Sequence, residues 1–163
     1  LHTGIRRQRQ MCIRDRDAMC RSFGATDVVI TDDLTDAVSA IREATDGRGV
    51  DYVFDAVGLA AIESVLLDCL APAGTAVLVG IPSTGTVFEV DAAEFIRREK
   101  VLTGSIFGSA DTARDFVDYA QWYLDGRLPI DRLVTERYRL DEINEACDAM
   151  LSGGVGRGVI VFD

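Results

Sequence analysis

Histidine is nearly absent, the only one among 163 residues being His2, and the four cysteines (Cys12, Cys20, Cys69, Cys147) are scattered with no C-x-x-C pair. A zinc site needs three or four Cys, His or carboxylate ligands converging, and this spacing gives no sign of one. Cys69 and Cys147 instead read as small core residues with reduced thiols. No apolar run approaches the ~20 residues that a membrane helix requires, and the basic opening is not followed by the apolar stretch of a secretory signal. The chain is therefore expected to be cytoplasmic. Positive charge is also scarce beyond the opening. Leu1 to Arg16 contribute +4 to a net charge of -10, so the rest carries -14. Such a body will not seek nucleic-acid phosphates or an anionic membrane.

A further lack concerns glycine spacing. A doubly wound dinucleotide domain opens with a strand, a G-x-G-x-x-G turn and a helix, because backbone N–H groups at the helix start must approach a pyrophosphate. An acidic residue about 20 positions later should end the second strand and hold the adenosine ribose. Neither element is found. "GGVGRG" (Gly153–Gly158) misses the full spacing, follows a helix and leads into a strand, so it reads as a helix stop and turn.

What is present is an α/β pattern. Hydrophobic residues make up 48% of the chain, enough for a packed core, and one domain of this length buries about 70% of the surface its unfolded chain exposes. From Asp27, short apolar runs alternate with helical periodicity, the signature of a parallel sheet. Strands are expected at "DVVI" (Asp27–Ile30), Val50–Gly58, Gly74–Pro82 and Val101–Phe107. A helix precedes Gly47, a second carries Ile62, Val65, Leu66, Cys69 and Leu70 on one face, and a short charged one falls in "DAAEFIRREK". The character then changes. A long helix from Asp111 to Asp125 should turn Ala113, Phe116, Val117, Ala120 and Leu124 inward. A last helix from about Asp141 carries Ile143, Ala146, Cys147, Met150 and Leu151, and "GVIVFD" closes the chain as a strand.

Several of these segments carry a likeness. "FGATDVV", "GVDYVFDAVG", "GTAVLVGIP", "GSIFGS", "YLDGRLPIDRLVTERYRLDEINEA" and "GRGVIVFD" occur in an order and spacing that resemble the C-terminal half of zinc-dependent medium-chain alcohol dehydrogenases. The branch with class III-type and aryl-alcohol enzymes is the nearest. The resemblance implies a partial Rossmann-type parallel sheet over residues 17–107 that lacks its first two strands, and a return segment over 108–163 that completes the catalytic domain. In the strand order 3-2-1-4-5-6, "DVVI" would then have no partner and the next strand would expose an apolar edge. Such a chain should fold poorly alone and tend to aggregate.

The same resemblance implies reversible hydride transfer between an alcohol and NAD(P)+, giving an aldehyde or ketone. NAD is the expected cofactor with NADP left open, and zinc acts as a Lewis acid in the full-length enzyme, with no ligand for it in this chain. By position, Val79 would pack on the nicotinamide, its carbonyl accepting from the carboxamide, and Gly80 and Ile81 would extend that wall. The Ser105 carbonyl and the Phe107 N–H would complete carboxamide recognition. Ala56, Val57 and Gly58 match an adenosine-side wall, and Arg157 matches an arginine that reaches the pyrophosphate. Leu59 stands where some relatives carry an arginine near the adenosine. Asp55 ends a strand, but the fourth rather than the second, so the ribose is not assigned to it. No catalytic residue is expected in the chain, and the polypeptide alone should be inactive. The strand at Val101–Phe107 would pair with its twin in a homodimer or a tetramer of dimers. A zinc-free quinone reductase, or a nucleotide-binding module without catalysis, are the alternative readings.

The opening fits neither a strand nor a convincing amphipathic helix. The codons ATG TGT ATA AGA GAC AG read Met-Cys-Ile-Arg-Asp followed by Ser or Arg, which resembles the mosaic-end adapter of transposon-based sequencing libraries. Residues 1–16 are therefore expected to be translated adapter and chimeric sequence on a truncated gene, leaving His2 and Cys12 without functional weight, with a genuine basic N-terminal arm on a decayed gene as the alternative.

Overall fold

The computed structural model describes residues 16–31, 33–153 and 156–162. The reading of "MCIRDR" as adapter falls almost wholly outside these residues, as do His2, Cys12 and two positions of the "GGVGRG" turn. The chain divides into two compact units. One is Val29–Ala110, and the other combines described residues up to Val28 with those from Asp111 onward.

The Val29–Ala110 unit is an α/β layer. Its elements are α2 (Leu34–Ala44), β1 (Val50–Asp55), α3 (Ala60–Cys69), β2 (Leu70–Leu78), α4 (Ala92–Arg97) and β3 (Val101–Gly104). In the other unit, residues 16–22 are helical and are called α1. The three strands form one parallel sheet in the order β1-β2-β3, as the α/β pattern requires. Helix starts are written in aspartates. Asp33 accepts from the Thr35 and Asp36 N–H groups at the head of α2, and Asp91 does the same from Ala93 and Glu94 at α4. These two backbone N–H groups hold the Asp33 carboxyl below its ordinary value of 3.8. The C-terminal end of α3 is closed from outside by Arg42, whose guanidinium donates to the Asp68 carbonyl at 2.6 and 3.0 Å and to the Gly47 carbonyl at 2.9 Å. Lys100, almost fully buried, donates to the Leu67 carbonyl at 2.7 Å.

The register explains where the core lies. Val53, Ala76 and Leu102 stand side by side across the strands and pack with Leu67 of α3, Leu70 and Phe95 of α4. Side chains alternate along a strand, so the row Tyr52, Thr75, Val101 and the row Phe54, Val77, Thr103 occupy the opposite face. That face is open, with Tyr52 and Phe54 each 64% exposed.

Three expectations about the strands need correction. Asp27–Ile30 is not assigned as strand, because a strand exists through its ladder partner and no described strand lies beside this segment. β2 begins at Leu70 rather than Gly74, with a register irregularity before Thr75. A strand at Val134–Tyr138 went unread although "VTERY" alternates in the strand period.

The other unit contains α5 (Thr112–Leu124), β4 (Val134–Tyr138), α6 (Ile143–Leu151) and β5 (Arg157–Ile160), with β4 and β5 paired in parallel. The α5 stripe expected to face inward is exposed, Phe116 at 57% and Leu124 at 75%. An apolar stripe shows that a face suits burial, not that the same chain covers it. Along that helix Phe116, Tyr119 and Trp122 contact one another with centroids 6.2 and 5.6 Å apart, and the Arg127 guanidinium lies 5.2 Å from the Trp122 ring. Cys147 is exposed, against the expectation of a core residue, whereas Cys69 is buried. No helix among the described residues is long and apolar enough to cross a membrane.

Candidate functional site

Parallel strands point their carboxyl ends the same way, and the turns that follow gather at one edge. Ala56, Val57 and Gly58 follow β1, Val79, Gly80 and Ile81 follow β2, and Ser105 and Phe107 follow β3. Eight of the nine sequence-predicted site residues therefore sit on three successive turns of one unit. The ninth, Arg157, starts β5 in the other unit. There it lines a cavity of about 470 Å³ with Arg16, Tyr138, Cys147, Met150 and Ile160.

The three turns are joined by main-chain hydrogen bonds. The Asp55 carbonyl accepts from both Val79 N–H and Gly80 N–H at 2.8 Å, and Ser105 N–H donates to the Leu78 carbonyl at 2.9 Å. The first two turns are in direct contact. Gly58, at φ +76°, is buried, and a Cβ on it would meet the Ile81 and Gly80 carbonyl carbons at 2.8 and 2.9 Å. Only glycine allows both this left-handed conformation and this approach.

Apolar side chains stand out from the turns. Val57 is 60% exposed, Ile81 79% and Phe107 77%. Phe107 also has a left-handed backbone, φ +50°, and Ser109 follows at φ +55°. For a bulky residue this is a strained conformation of the kind that collects at ligand-contacting turns. Exposed apolar side chains beside main-chain carbonyl and N–H groups offer a planar ligand a face to stack on and partners for its polar edge. Leu59, 56% exposed, lies just beyond at the head of α3.

Asp55 is the residue whose part the sequence reading missed. Its side chain is buried. Val57 N–H donates to Oδ1 at 2.8 Å, and Gly58 N–H donates to Oδ1 at 3.2 Å and to Oδ2 at 3.0 Å. The spacing Asp-x-x-Gly in "DAVG" is the signal that could have revealed this turn. Among the described residues no three His, Cys, Asp or Glu side chains converge as a metal site, so these residues do not fit a zinc ion.

Comparison with known proteins agrees with this architecture. A profile for zinc-binding dehydrogenases matches residues 12–123. Geraniol dehydrogenase of Carpoglyphus lactis is 32% identical over 148 residues, covering 91% of this chain and 39% of that protein. A solved alcohol dehydrogenase zinc-binding domain protein from Burkholderia ambifaria is 33% identical with a TM-score of 0.83, over 93% of this chain and 40% of that one. Benzyl alcohol dehydrogenase from Acinetobacter calcoaceticus superposes with a TM-score of 0.80 at 29% identity, over 90% and 40% of the two chains. The chain thus spans about 40% of the length of the relatives it matches.

Proposed function

The chain belongs to the zinc-binding dehydrogenase family, and from that premise we propose that it forms the nicotinamide-facing part of an alcohol dehydrogenase that transfers hydride between an alcohol and NAD(P)+, giving an aldehyde or ketone. One observation carries this reading. Three turns at the carboxyl ends of adjacent parallel strands are bonded together and present Val57, Val79, Ile81 and Phe107 outward. Relatives named for geraniol and benzyl alcohol support an alcohol as the substrate class.

In this reading the bound cofactor supplies the hydride chemistry, and the chain's own residues bind and orient. Val79 packs on one side of the nicotinamide ring, with Gly80 and Ile81 extending that surface. The Val79 and Ser105 carbonyls accept from the carboxamide, and Phe107 N–H donates to it. Ala56, Val57 and Gly58 form the adenosine-side wall. Arg157 donates to the pyrophosphate through its planar guanidinium. A catalytic zinc would be held by other residues of the full-length enzyme and would supply Lewis-acid stabilisation of the alkoxide.

Residues 17–107 are assigned to the Rossmann-type domain and 108–163 to the segment that completes the catalytic domain, in a cytoplasmic enzyme. β3 ends the sheet order β1-β2-β3, which supports its pairing with a second copy in a homodimer or homotetramer.

The test is a titration with NADH, followed by cofactor fluorescence, of the gene product read through its 5′ end and of the 163-residue chain. Saturable binding by the longer product, lost on Val79→Asp, with none by the 163-residue chain, is the expected pattern. Tight binding by the short chain would refute its predicted incompleteness. Absence of binding by the longer product would refute the cofactor assignment.

A further inference from the structure

Asp55 is only 2% exposed, and its hydrogen-bond partners are backbone groups. Its carboxylate accepts from Val57 and Gly58 N–H while its carbonyl accepts from Val79 and Gly80 N–H. One residue therefore fixes two of the turns proposed to face the cofactor. Backbone dipoles solvate a carboxylate but leave its charge in place. No ion pair among the described residues involves Asp55. Val79, on which the nicotinamide is proposed to pack, directly follows Leu78, the strand partner of Asp55, and its N–H donates to the Asp55 carbonyl at 2.8 Å, so the carboxylate belongs to the residue bonded to that wall.

The oxidised nicotinamide ring is a cation, and the reduced ring is neutral. A carboxylate held beside the docking surface interacts differently with the two, because Coulomb attraction acts on the cationic ring and not on the neutral one.

We propose that Asp55 sets the redox-state preference of the site, its buried and unneutralised carboxylate favouring the oxidised, cationic nicotinamide over the reduced one. It does so as a positioning residue, without touching the cofactor, through its charge and through the turns it holds. The inference rests on the dinucleotide reading above.

Dissociation constants for both members of the cofactor pair, NAD+ with NADH or NADP+ with NADPH, are measured on the full-length gene product by calorimetry or fluorescence. Asp55→Asn keeps an acceptor for the Val57 and Gly58 N–H groups and removes the charge. It is expected to raise the oxidised-to-reduced ratio of dissociation constants about tenfold. Asp55→Glu keeps the charge and should hold the ratio within about twofold even if both constants rise. Where Asp55→Asn fails to fold, Asp55→Ser supplies the test, keeping a hydroxyl acceptor on the same turn without the charge, with the same rise expected. A purely structural role would weaken both forms equally, and an unmoved ratio overturns the proposal while leaving the dinucleotide reading intact. Failure of the wild type to bind either form overturns both.

Discussion

Gly80 and Gly58 meet backbone to backbone, so that a Cβ built on Gly80 would fall on the Gly58 nitrogen and come within 2.6 Å of the Val57 nitrogen. The two turns after β1 and β2 can therefore close on each other only without side chains. Gly80→Ala and Gly58→Ala should each cost about 1–3 kcal/mol or more, since rigid backbone rather than a flexible side chain must give way. Urea denaturation of the variants beside the parent measures this, and a loss below about 0.5 kcal/mol for both would show that the turns are looser than described.

Arg42→Met removes the donors that close the end of α3 while keeping an apolar stem of similar length. The Asp68 and Gly47 carbonyls then lose a charged partner, with an expected loss of about 1–3 kcal/mol. Arg42→Lys should recover only part of it, because an ammonium cannot span the same set of carbonyls as a planar guanidinium. Equal stability of the two variants would argue against the multiple-carbonyl role.

Burial pushes the Cys69 thiol up from its ordinary 9.0, with the neighbouring Asp68 charge adding to the effect. A raised value keeps the folded thiol protonated. Its contribution to stability is complete below about pH 9 and is lost as pH rises beyond that, when the unfolded chain gains by ionising. Peptide mapping after brief maleimide treatment at neutral pH should find Cys20 and Cys147 labelled, both being exposed, and Cys69 unlabelled until denaturant is added.

Tyr52 and Phe54 project from the open face of the sheet. Tyr52→Lys with Phe54→Glu should leave the unfolding free energy of the 163-residue chain within about 1 kcal/mol, since both side chains are mostly in water already. Light scattering of concentrated samples should fall. Unchanged scattering would place the association surface elsewhere, such as the exposed stripe of α5.

Much of this was legible in the sequence where a pattern depends only on neighbours along the chain. The three parallel strands follow from apolar runs separated by helical periodicity, and the starts of α4 and α5 from Asp91 and Asp111. The family likeness rested on six segments in order. The residues at the strand ends were legible as candidates, since the strands end where the turns begin. Other features depend on partners that local pattern does not specify. "DVVI" has strand composition without a ladder. The Phe116 and Leu124 stripe has helical period without a covering surface. Asp55 was left without a role because its occupation, the Val57 and Gly58 N–H groups within three residues, is a matter of turn geometry. β4 escaped because its alternation is short and mostly polar.

The sheet register also bears on how the layer is made. β1 pairs with residues 20 to 23 positions later, and β2 with residues 26 later. These separations are close to the minimum that a helical crossover permits, so each closure loses little chain entropy. At about 5–20 residues per second a ribosome delivers the whole stretch from β1 to β3 within roughly ten seconds. The layer can assemble by successive local steps during synthesis, with the Tyr52 and Phe54 face still uncovered. That interval is when a chaperone with affinity for aromatic surface would find its substrate.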